Sequence, residues 1–222
     1  IRDSYKAFRD DPEANPLPSP SGKIEIYSPR LAELAETWTL LPGQAITALP
    51  EYIPNPEGAI SPERKEWPLQ LIGHHYEQRT HSTYGNCWWL QEVAPQELWI
   101  NPIDAKARGI EFGDRVKVFN GRGVSFVKAK ITPRIMPGVV YQDHGSRVDS
   151  IVLGRGGLDR GGANNLIAPY ATTSTHAFGE VTSGFLVNVE KVDVFALAEE
   201  YPEAFGRTFQ ADEGPDIDNW LV

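Results

Sequence analysis

The chain has 222 residues, of which 41% are hydrophobic and 23% charged, and its formal net charge is −9 at pH 7. These proportions are typical of a globular protein, and the acidic balance disfavours generic nucleic-acid binding, which needs clustered Lys and Arg. No run of about 18 apolar residues is present, so the sequence predicts no transmembrane helix and no membrane contact by this chain. The single cysteine, Cys87, excludes an internal disulfide, a multi-cysteine zinc site and an iron–sulfur cluster within the chain.

The N-terminal part of the sequence predicts an arm, a strand and a helix. Residues 10–22 are rich in proline and have no periodicity, so we expect residues 1–22 to form a linker or arm. The sequence KIEIY at 23–27 alternates apolar and polar residues, which predicts a short strand. Ser28 and Pro29 then begin a helix, as N-cap and first helical residue. Because the chain begins at Ile1 and not at Met, we expect it to be a piece of a longer protein.

From Trp67 onward the sequence changes to short alternating segments separated by turn residues. A helix is predicted from Pro102 to its stop at Gly109, and the Asn-Gly sequence at 120–121 predicts a hairpin turn. Many short strands and few helices predict a mainly β protein in which one barrel closes. We place its domain at 23–192, followed by a helix and an acidic tail over 193–222. The predicted barrel strands are 23–27, 67–73, 114–119, 124–132, 138–142 and 185–191, with a further strand at 98–101.

Two long polar loops interrupt this barrel. The first, 73–90, contains HHYEQRTHSTYGN and has no helical or strand periodicity. The second, 144–184, is rich in Gly, Asn and Thr and shows no clear element. Loops of this length within a compact domain are usually functional or disordered, and binding sites are often formed by loops on a rigid scaffold. We therefore expect both loops to open on the same side of the barrel and to form a binding site.

An ordered set of motifs carries a family resemblance. Residues 97–140 contain N-P-x-D-A-x-x-x-G-I-x-x-G-D-x-V, then N-x-R-G, then P-G-V. This segment resembles the C-terminal molybdopterin-dinucleotide-binding domain of the dimethyl sulfoxide reductase family, which implies a six-stranded double-psi β-barrel with short helices. SPSGKIEIYS at 19–28 resembles the segment that enters this domain. HHYEQRTHSTYGN resembles its first cofactor loop, and GGANNL at 161–166 with VTSGFLVNVEK at 181–191 resembles its second.

Within that family, RTHSTYGN matches the catalytic subunits of dimethyl sulfoxide reductases especially well. TTSTHAFGEVTSGFLVNVE fits them less well, which leaves hydroxytransferase-like and polysulfide-reductase-like members open. The resemblance implies one wall of a cleft for a bis-molybdopterin guanine dinucleotide (bis-MGD) centre of Mo or W. It also implies that the metal ligand and the substrate pocket lie in earlier domains. We therefore expect this chain alone to lack the cofactor and to catalyse nothing.

The resemblance further implies partners and a compartment. The expected partners are the N-terminal domains of the same polypeptide and an iron–sulfur electron-transfer subunit of the parent complex. The parent enzyme would serve anaerobic respiration in the bacterial periplasm or at a membrane, with the cytoplasm left open.

The resemblance also implies which residues contact the cofactor. The side chains of these residues have the chemical groups that such contacts need. Guanidinium, imidazole, hydroxyl and amide groups can bond both pterin edges and phosphates. No catalytic residue and no metal ligand is assigned. The predicted cofactor-binding residues are His75, Arg79, Thr80, His81, Ser82 and Asn86 in the first loop, with Asn164, Asn165, Ser183 and Gly184 in the second. His176 is a further possibility without a secure counterpart.

Several alternatives stand beside this interpretation. His74, His75 and His81 could form a metal site, although no Cys partner and no H-E-x-x-H spacing accompany them. Arg79 could instead pair with an acidic neighbour, Glu77 or Glu92, on the surface. Cys87 and the adjacent tryptophans are interpreted as packing residues, with Cys87 a buried structural thiol.

Two other classes of function compete with the cofactor domain. A double-psi barrel can serve as a stand-alone interaction or recognition module without catalysis. The adjacent residues Asp143 and His144 could belong to a hydrolase, although no nucleophile motif accompanies them. The order of the motifs along the chain favours the cofactor-binding domain over both.

Overall fold

The computed structural model describes residues 3–85, 87–154, 156–181 and 183–205. These form two compact units: residues up to 53 together with 174–178, and residues 54–173 together with 179 onward. Residues 23–53 of the predicted domain 23–192 thus fall in the first unit. Within the described ranges, every helix is too short or too polar to cross a bilayer.

The first unit contains two helices, α1 (Lys6–Asp10) and α2 (Pro29–Thr37). Helix α2 begins as predicted, because the Ser28 hydroxyl accepts a hydrogen bond from the Leu31 N–H at 3.3 Å and Pro29 is the first helical residue.

The strand predicted at 23–27 is wrong. Ile24 and Ile26 are 74% and 71% exposed, so the apolar face of the alternation is not buried by the described residues. Local side-chain bonds replace a strand ladder: the Ser19 hydroxyl donates to the Lys23 carbonyl, and the Glu25 carboxylate accepts from the Ser21 N–H.

The second unit contains a closed barrel of six strands. They are β1 (Leu69–His74), β2 (Glu97–Ile100), β3 (Arg115–Asn120), β4 (Gly123–Ile131), β5 (Val139–Asp143) and β10 (Phe185–Lys191). Their order around the barrel is β2-β5-β1-β10-β3-β4, and β4 pairs with β2 to close it. The pairs β1–β5 and β2–β4 are parallel, and the other four are antiparallel.

This architecture confirms the predicted mainly β fold with a six-stranded barrel, but one of the six strands differs from the prediction. The sixth strand is β2, at 97–100, and not the segment 23–27. Alternation explains the strands that were predicted correctly: in β3, Val116 and Val118 point into the core while Arg115 and Lys117 do not. The predicted hairpin joins β3 to β4, where Asn120 is opposite Gly123.

Among the described residues of the second unit there are four helices: α3 (Trp88–Val93), α4 (Pro102–Ala107), α5 (Val194–Glu200) and α6 (Pro202–Phe205). Single 3₁₀ turns occur at Pro62–Lys65 and Asn164–Leu166. Helix α4 was predicted, and the Asn101 amide oxygen caps it by accepting from the Ile103 N–H at 2.9 Å. Helix α3 was missed inside the predicted loop 73–90, because its N-cap Cys87 makes no side-chain capping bond and so lacks the usual start signal.

The predicted lack of structure in 144–184 is also wrong. Four short strands lie there: β6 (Ser150–Val152), β7 (Gly157–Asp159), β8 (Thr172–Ser174) and β9 (Ala177–Glu180). Strand β7 pairs with β4 in parallel and with β6, while β8 and β9 pair with each other. Strands of three or four residues are too short to show periodicity, and β7 depends on a partner distant in sequence.

Because the barrel is closed, we expect substitutions at two neighbouring residues of β1 to differ sharply in their effect on the free energy of unfolding. Leu71 is fully buried and Ile72 is 36% exposed. Leu71→Ala should lower the free energy of unfolding by about 2–5 kcal/mol, because the cavity left in the core cannot collapse fully. Ile72→Ala should lower the free energy of unfolding by less than half as much. Urea denaturation of both variants measures the difference. Equal losses for the two variants would contradict the inward orientation of Leu71.

Candidate functional site

The two polar loops meet at one end of the barrel. Strands β1 and β5 are parallel neighbours, so their carboxyl ends lie together and the chain leaves both at the same edge. The His144 N–H donates to the His74 carbonyl at 3.1 Å just beyond the strands. A Cβ at Gly145 would lie 2.5 Å from the Cα of His81, so the backbones of the two loops are in direct contact. The loops therefore open on the same side, as the sequence analysis predicts.

Three histidine rings cluster at this junction. The ring of His144 lies 4.3 Å from that of His75 and 5.0 Å from that of His81, between centroids. Burial lowers the pKa of His144, and the two neighbouring imidazoles lower it further. Its Nε2 atom is buried without a hydrogen-bond partner in the described part of the chain. Among the described residues, no group of three His, Cys, Asp or Glu side chains is placed to hold a metal ion.

Arg79 points into the junction and not toward an acidic neighbour on the surface. Its guanidinium donates to the side-chain oxygen of Gln96 and to the His144 carbonyl at 3.4 Å, and it lies 4.5 Å above the ring of Tyr76. Burial lowers the pKa of Arg79, and nearby Asp143 counteracts this effect. The Nε atom is buried and has no partner among the described groups.

Gln96 joins the segments of the site and was not singled out from the sequence. Its amide oxygen accepts from Arg79, while its nitrogen donates to the carbonyls of Asp143 at 2.7 Å and Gly162 at 3.2 Å. Gly162 has φ +78°, and a Cβ there would lie 2.8 Å from the Gln96 Cγ. One carboxamide thus connects the first loop, the end of β5 and the Gly-rich turn. A single glutamine before a strand forms no motif, so the sequence offers no reason to assign Gln96 to the site.

The carboxylate of Asp143 lies close enough to Arg79, His74 and His144 for their charges to act on it. Its pKa is raised by burial, while a hydrogen bond from the Tyr141 hydroxyl and the charge of Arg79 act in the opposite direction. Burial and the Asp143 carboxylate raise the pKa of Tyr76 to about 12. The Asp143–His144 pair therefore does not form a hydrolase dyad, because the carboxylate bonds a tyrosine hydroxyl and the imidazole packs among other histidines.

The second predicted group contributes one buried residue to this junction. Asn164 is 3% exposed, and its amide nitrogen donates to the carbonyls of Gln142 at 3.0 Å and Asp143 at 3.4 Å. Its Oδ1 atom is buried without a partner within the described ranges. The adjacent Asn165 is exposed. Asn164 thus reaches the end of the strand from which the His144 segment departs.

Ser183 and Gly184 form a turn on strand β1, which leads into the first loop. The Ser183 hydroxyl accepts from the Gly73 N–H at 3.0 Å, and the Gly184 N–H donates to the Leu71 carbonyl at 2.9 Å. Gly184 has φ +79°, and its carbonyl accepts from the Asn55 amide at 2.6 Å. A Cβ at Gly184 would lie 2.7 Å from that amide nitrogen, so the turn leaves no room for a larger residue.

The remaining predicted residues differ in their placement. Thr80 and Ser82 are exposed in the first loop, and Asn86 lies outside the described residues. His176 belongs to the first unit, where its ring packs 3.9 Å from that of Trp38. Cys87 is a free thiol that is half-buried, so the prediction of a buried structural thiol is wrong.

Comparison with known proteins gives consistent matches. Residues 69–182 match the family model described as "Molydopterin dinucleotide binding domain". The chain is 50% identical over 189 residues to the probable dimethyl sulfoxide reductase chain YnfF of Escherichia coli K12, and 49% identical to the dimethyl sulfoxide reductase DmsA of the same strain. Each alignment covers 85% of this chain and 23% of the relative, so the chain spans about a quarter of these proteins' length.

More distant relatives match over a similar span. The dimethyl sulfoxide/trimethylamine N-oxide reductase of Cereibacter sphaeroides is 35% identical over 191 residues, which is 84% of this chain and 22% of that protein. The solved structure of acetylene hydratase from Pelobacter acetylenicus matches with a TM-score of 0.62 at 21% identity, covering 82% of this chain and 25% of that one. This last likeness shows that the fold is shared.

The depressed pKa of His144 predicts a pH-dependent stability. The folded state favours the neutral ring, so the unfolded chain binds more protons once the pH falls below the ordinary value of 6.5. The free energy of unfolding should therefore decrease as the pH is lowered from 7.5 to 5.5, and His144→Gln should reduce that decrease. His75, His81, Arg79 and Asp143 also face this ring, so the difference between wild type and variant is the quantity to measure.

The matched control for this measurement is His176→Gln, which changes a histidine of the other unit. Urea denaturation at several pH values should show the control following the wild-type pH profile. A His144→Gln variant that keeps the full wild-type pH dependence would show that His144 is not the titrating group.

Proposed function

Because the chain belongs to the molydopterin dinucleotide binding domain family, we propose that it is the cofactor-binding barrel of a larger oxidoreductase related to the dimethyl sulfoxide reductases. The observation that carries this proposal is the junction of the two loops. There Arg79, His144 and Asn164 each have a buried polar atom without a partner among the described residues. Buried polar groups in proteins are rarely left unbonded, since each one costs about 1–3 kcal/mol.

The chemistry of these groups fits a pterin. The Arg79 Nε–H donates, the Asn164 Oδ1 accepts, and the His144 Nε2 can do either according to its tautomer. The edge of a pterin ring offers both acceptor nitrogens and N–H donors, so donors and acceptors are both required of its site. Arg79 also supplies a positive charge that favours the phosphates of a dinucleotide.

We further propose which residues hold the two halves of a bis-MGD cofactor with Mo or W. Residues of the first loop would contact one pterin, and residues from the Gly-rich turn and the β10 entry would contact the other. When bound, such a cofactor supplies oxygen-atom or electron-pair transfer at its metal. The proposed contacts are His75, Arg79, Thr80, His81, Ser82 and Asn86 for the first group, and Asn164, Asn165, Ser183 and Gly184 for the second.

The role of this chain's own residues would be to bind the cofactor and to orient it. Asn55 and Gly73 hold the Ser183–Gly184 turn through 2.6 Å and 3.0 Å hydrogen bonds. Gln96 holds Arg79 in place. Neutral His144 would keep the junction free of a further positive charge near Arg79, so its proton occupancy would influence the cofactor's environment.

The length of the relatives supports an enzyme over a stand-alone recognition module. A chain that covers 23% of its relatives corresponds to one domain of a much longer polypeptide. We propose that the metal ligand and substrate pocket lie in the remaining domains, and that an iron–sulfur subunit exchanges electrons with the complex. The compartment of the parent enzyme stays a prediction.

The proposal predicts a specific defect for Arg79→Ala in the full-length enzyme. Loss of a charge-assisted hydrogen bond is worth about 1.5–3 kcal/mol, so cofactor retention should weaken about ten- to a hundredfold. Melting of the barrel should change little, because Arg79 lies in a loop outside the core. The measurement is metal and guanine content of the purified protein beside its melting temperature.

The matched control is Arg134→Ala, which removes an exposed arginine far from the loop junction in sequence. It should retain the wild-type metal and guanine content. Full cofactor loading in Arg79→Ala would contradict the assignment of the first loop to the pterin.

A further inference from the structure

The N-x-R-G motif at 120–123 forms the turn of the β3–β4 hairpin, and none of its residues is among the proposed cofactor contacts. A two-residue turn needs its glycine and its Asn-Gly start, but it does not need a particular arginine. In the structure, the side chains of this motif bond two segments that are distant in sequence, residues 164–167 and the start of β10.

Asn120 bonds both segments with one buried side chain. Its amide nitrogen donates to the carbonyl of Ile167 at 2.8 Å and to that of Leu186 at 3.0 Å. The paired residues of β3 and β10 end at Phe119 and Asn188 in this direction. The Asn120 amide therefore takes the place of a strand partner for the Leu186 carbonyl.

Arg122 extends this connection to a third segment. Its Nε–H donates to the same Ile167 carbonyl at 2.8 Å, while its two terminal nitrogens donate to the two carboxylate oxygens of Glu57 at 2.9 and 3.0 Å. Paired bonds of this kind fix the orientation of both groups. A Cβ at Gly123 would lie 2.9 Å from the Leu166 carbonyl oxygen, so the glycine of the motif permits the close approach of 164–167.

Glu57 lies in a tight turn that bonds the backbone at the start of β10. The Gly58 N–H donates to the Asn55 carbonyl at 2.9 Å, and the Asn55 side-chain oxygen accepts from the Glu57 N–H at 3.2 Å, as in an Asx-turn. Glu57 Oε2 accepts from the Leu186 N–H at 3.0 Å, and the Asn55 amide donates to the Gly184 carbonyl at 2.6 Å. Side chains of the turn thus hold β10 at two positions.

The segments connected in this way carry the whole second group of proposed cofactor contacts. The 3₁₀ turn is tied to Ile167, whose N–H donates to the Asn164 carbonyl at 3.1 Å, and the Ser183–Gly184 turn leads directly into β10. The network of Glu57, Arg122 and Asn120 therefore links the two halves of the group, which are Asn164 with Asn165 and Ser183 with Gly184.

We propose that Glu57 and Arg122 are positioning residues for the cofactor. Their ion pair holds the 164–167 segment against the start of β10, so that both halves of the second group can contact one pterin. This role rests on the proposed function, because it needs a pterin at the second group. Weakening the ion pair should then weaken cofactor retention through the residues that the pair holds.

A merely structural ion pair would affect stability alone, and the chain offers a matched example. The Asp114 carboxylate accepts from the Lys191 Nζ at 2.9 Å and from the Glu111 N–H at 2.7 Å. Its side chain is 18% exposed, against 19% for Glu57. Because β10 runs antiparallel to β1, Lys191 lies at the end of the barrel away from the first loop. Asp114→Asn therefore removes bonds of the same kinds far from the second group.

Hydrogen exchange of the 222-residue chain without cofactor tests whether the ion pair holds the segments. Glu57→Gln keeps the size of the side chain and removes its charge. The N–H groups of Ile167, Ala168 and Gly184 bond other groups than Glu57, so they report movement of the segments. They should exchange at least about fivefold faster in Glu57→Gln, because local opening becomes easier.

Arg122→Lys provides a second variant for the same measurement. A lysine keeps the positive charge but cannot make two parallel bonds to Glu57 together with the Nε bond to Ile167. Exchange at Ile167 and Ala168 should therefore rise in this variant also. Val118, which pairs with Val189 within the barrel, should keep its rate, and Asp114→Asn should leave the reporting groups unchanged.

The full-length enzyme tests the effect on the cofactor. Metal and guanine content would be measured after purification, beside the melting temperature. We expect Glu57→Gln and Asp114→Asn to lower the melting temperature similarly, since the two carboxylates make the same kinds of bond. Only Glu57→Gln should also lose cofactor, by roughly fivefold, which is the loss expected from one hydrogen bond.

The remaining outcomes contradict the proposal in distinguishable ways. Unchanged exchange in both variants, faster exchange with full cofactor content, or an equal loss of cofactor in Asp114→Asn would each overturn it. Arg79→Ala separates the positioning role from the proposed function. If Arg79→Ala loses cofactor and Glu57→Gln does not, only the positioning role is wrong. If both keep full cofactor content, the proposed cofactor site is wrong and the positioning role with it.

Discussion

The loop junction depends on a single carboxamide, that of Gln96. Its oxygen accepts from Arg79 and its nitrogen donates to the carbonyls of Asp143 and Gly162, so every polar atom of the side chain is used. A carboxylate at this position would place an acceptor against two carbonyls, and an apolar side chain would remove one hydrogen bond from Arg79 and one from each carbonyl. The Gln96 side chain therefore connects the guanidinium, the exit of β5 and the Gly-rich turn. The amides of Gln142 and Asn164 support it by bonding the same two carbonyls.

The electrostatic character of the junction follows from the same arrangement. Asp143 is bonded by the Tyr141 hydroxyl, and the hydrogen bonds of Arg79 go to an amide and a carbonyl oxygen and not to a carboxylate. The positive charge of Arg79 thus stays available to an anionic ligand. Burial and the neighbouring imidazoles keep His144 neutral over more of the pH range than a free histidine. A guanidinium beside neutral imidazole and amide groups suits the pterin and pyrophosphate that we propose for this junction.

Much of the barrel could be predicted from the sequence, for identifiable reasons. Strands of five or more residues with one buried face show alternation, and the caps of α2 and α4 rest on local side-chain bonds. The error at 23–27 arose because alternation indicates an apolar face but not whether another segment buries it. Strand β2 has four residues, and its membership of the barrel depends on partners in β4 and β5 far along the chain.

The site could be predicted only in part. The resemblance singled out Arg79, His81 and Asn164, and the parallel pairing of β1 with β5 brings their segments together. Gln96 contributes its side-chain amide and Asp143 its backbone carbonyl. Neither group is part of a recognisable sequence motif. Helix α3 and strands β6 to β9 were missed because they lack capping side chains or sufficient length.

The most direct test of the central claim is a structure of the full-length enzyme with its cofactor bound. The distances to measure join the pterin ring heteroatoms to the Arg79 Nε and the Asn164 Oδ1. We predict that both atoms lie within hydrogen-bond distance of a pterin, about 2.7–3.2 Å. Pterins bound elsewhere, with both atoms bonded instead to water or to other protein groups, would contradict it.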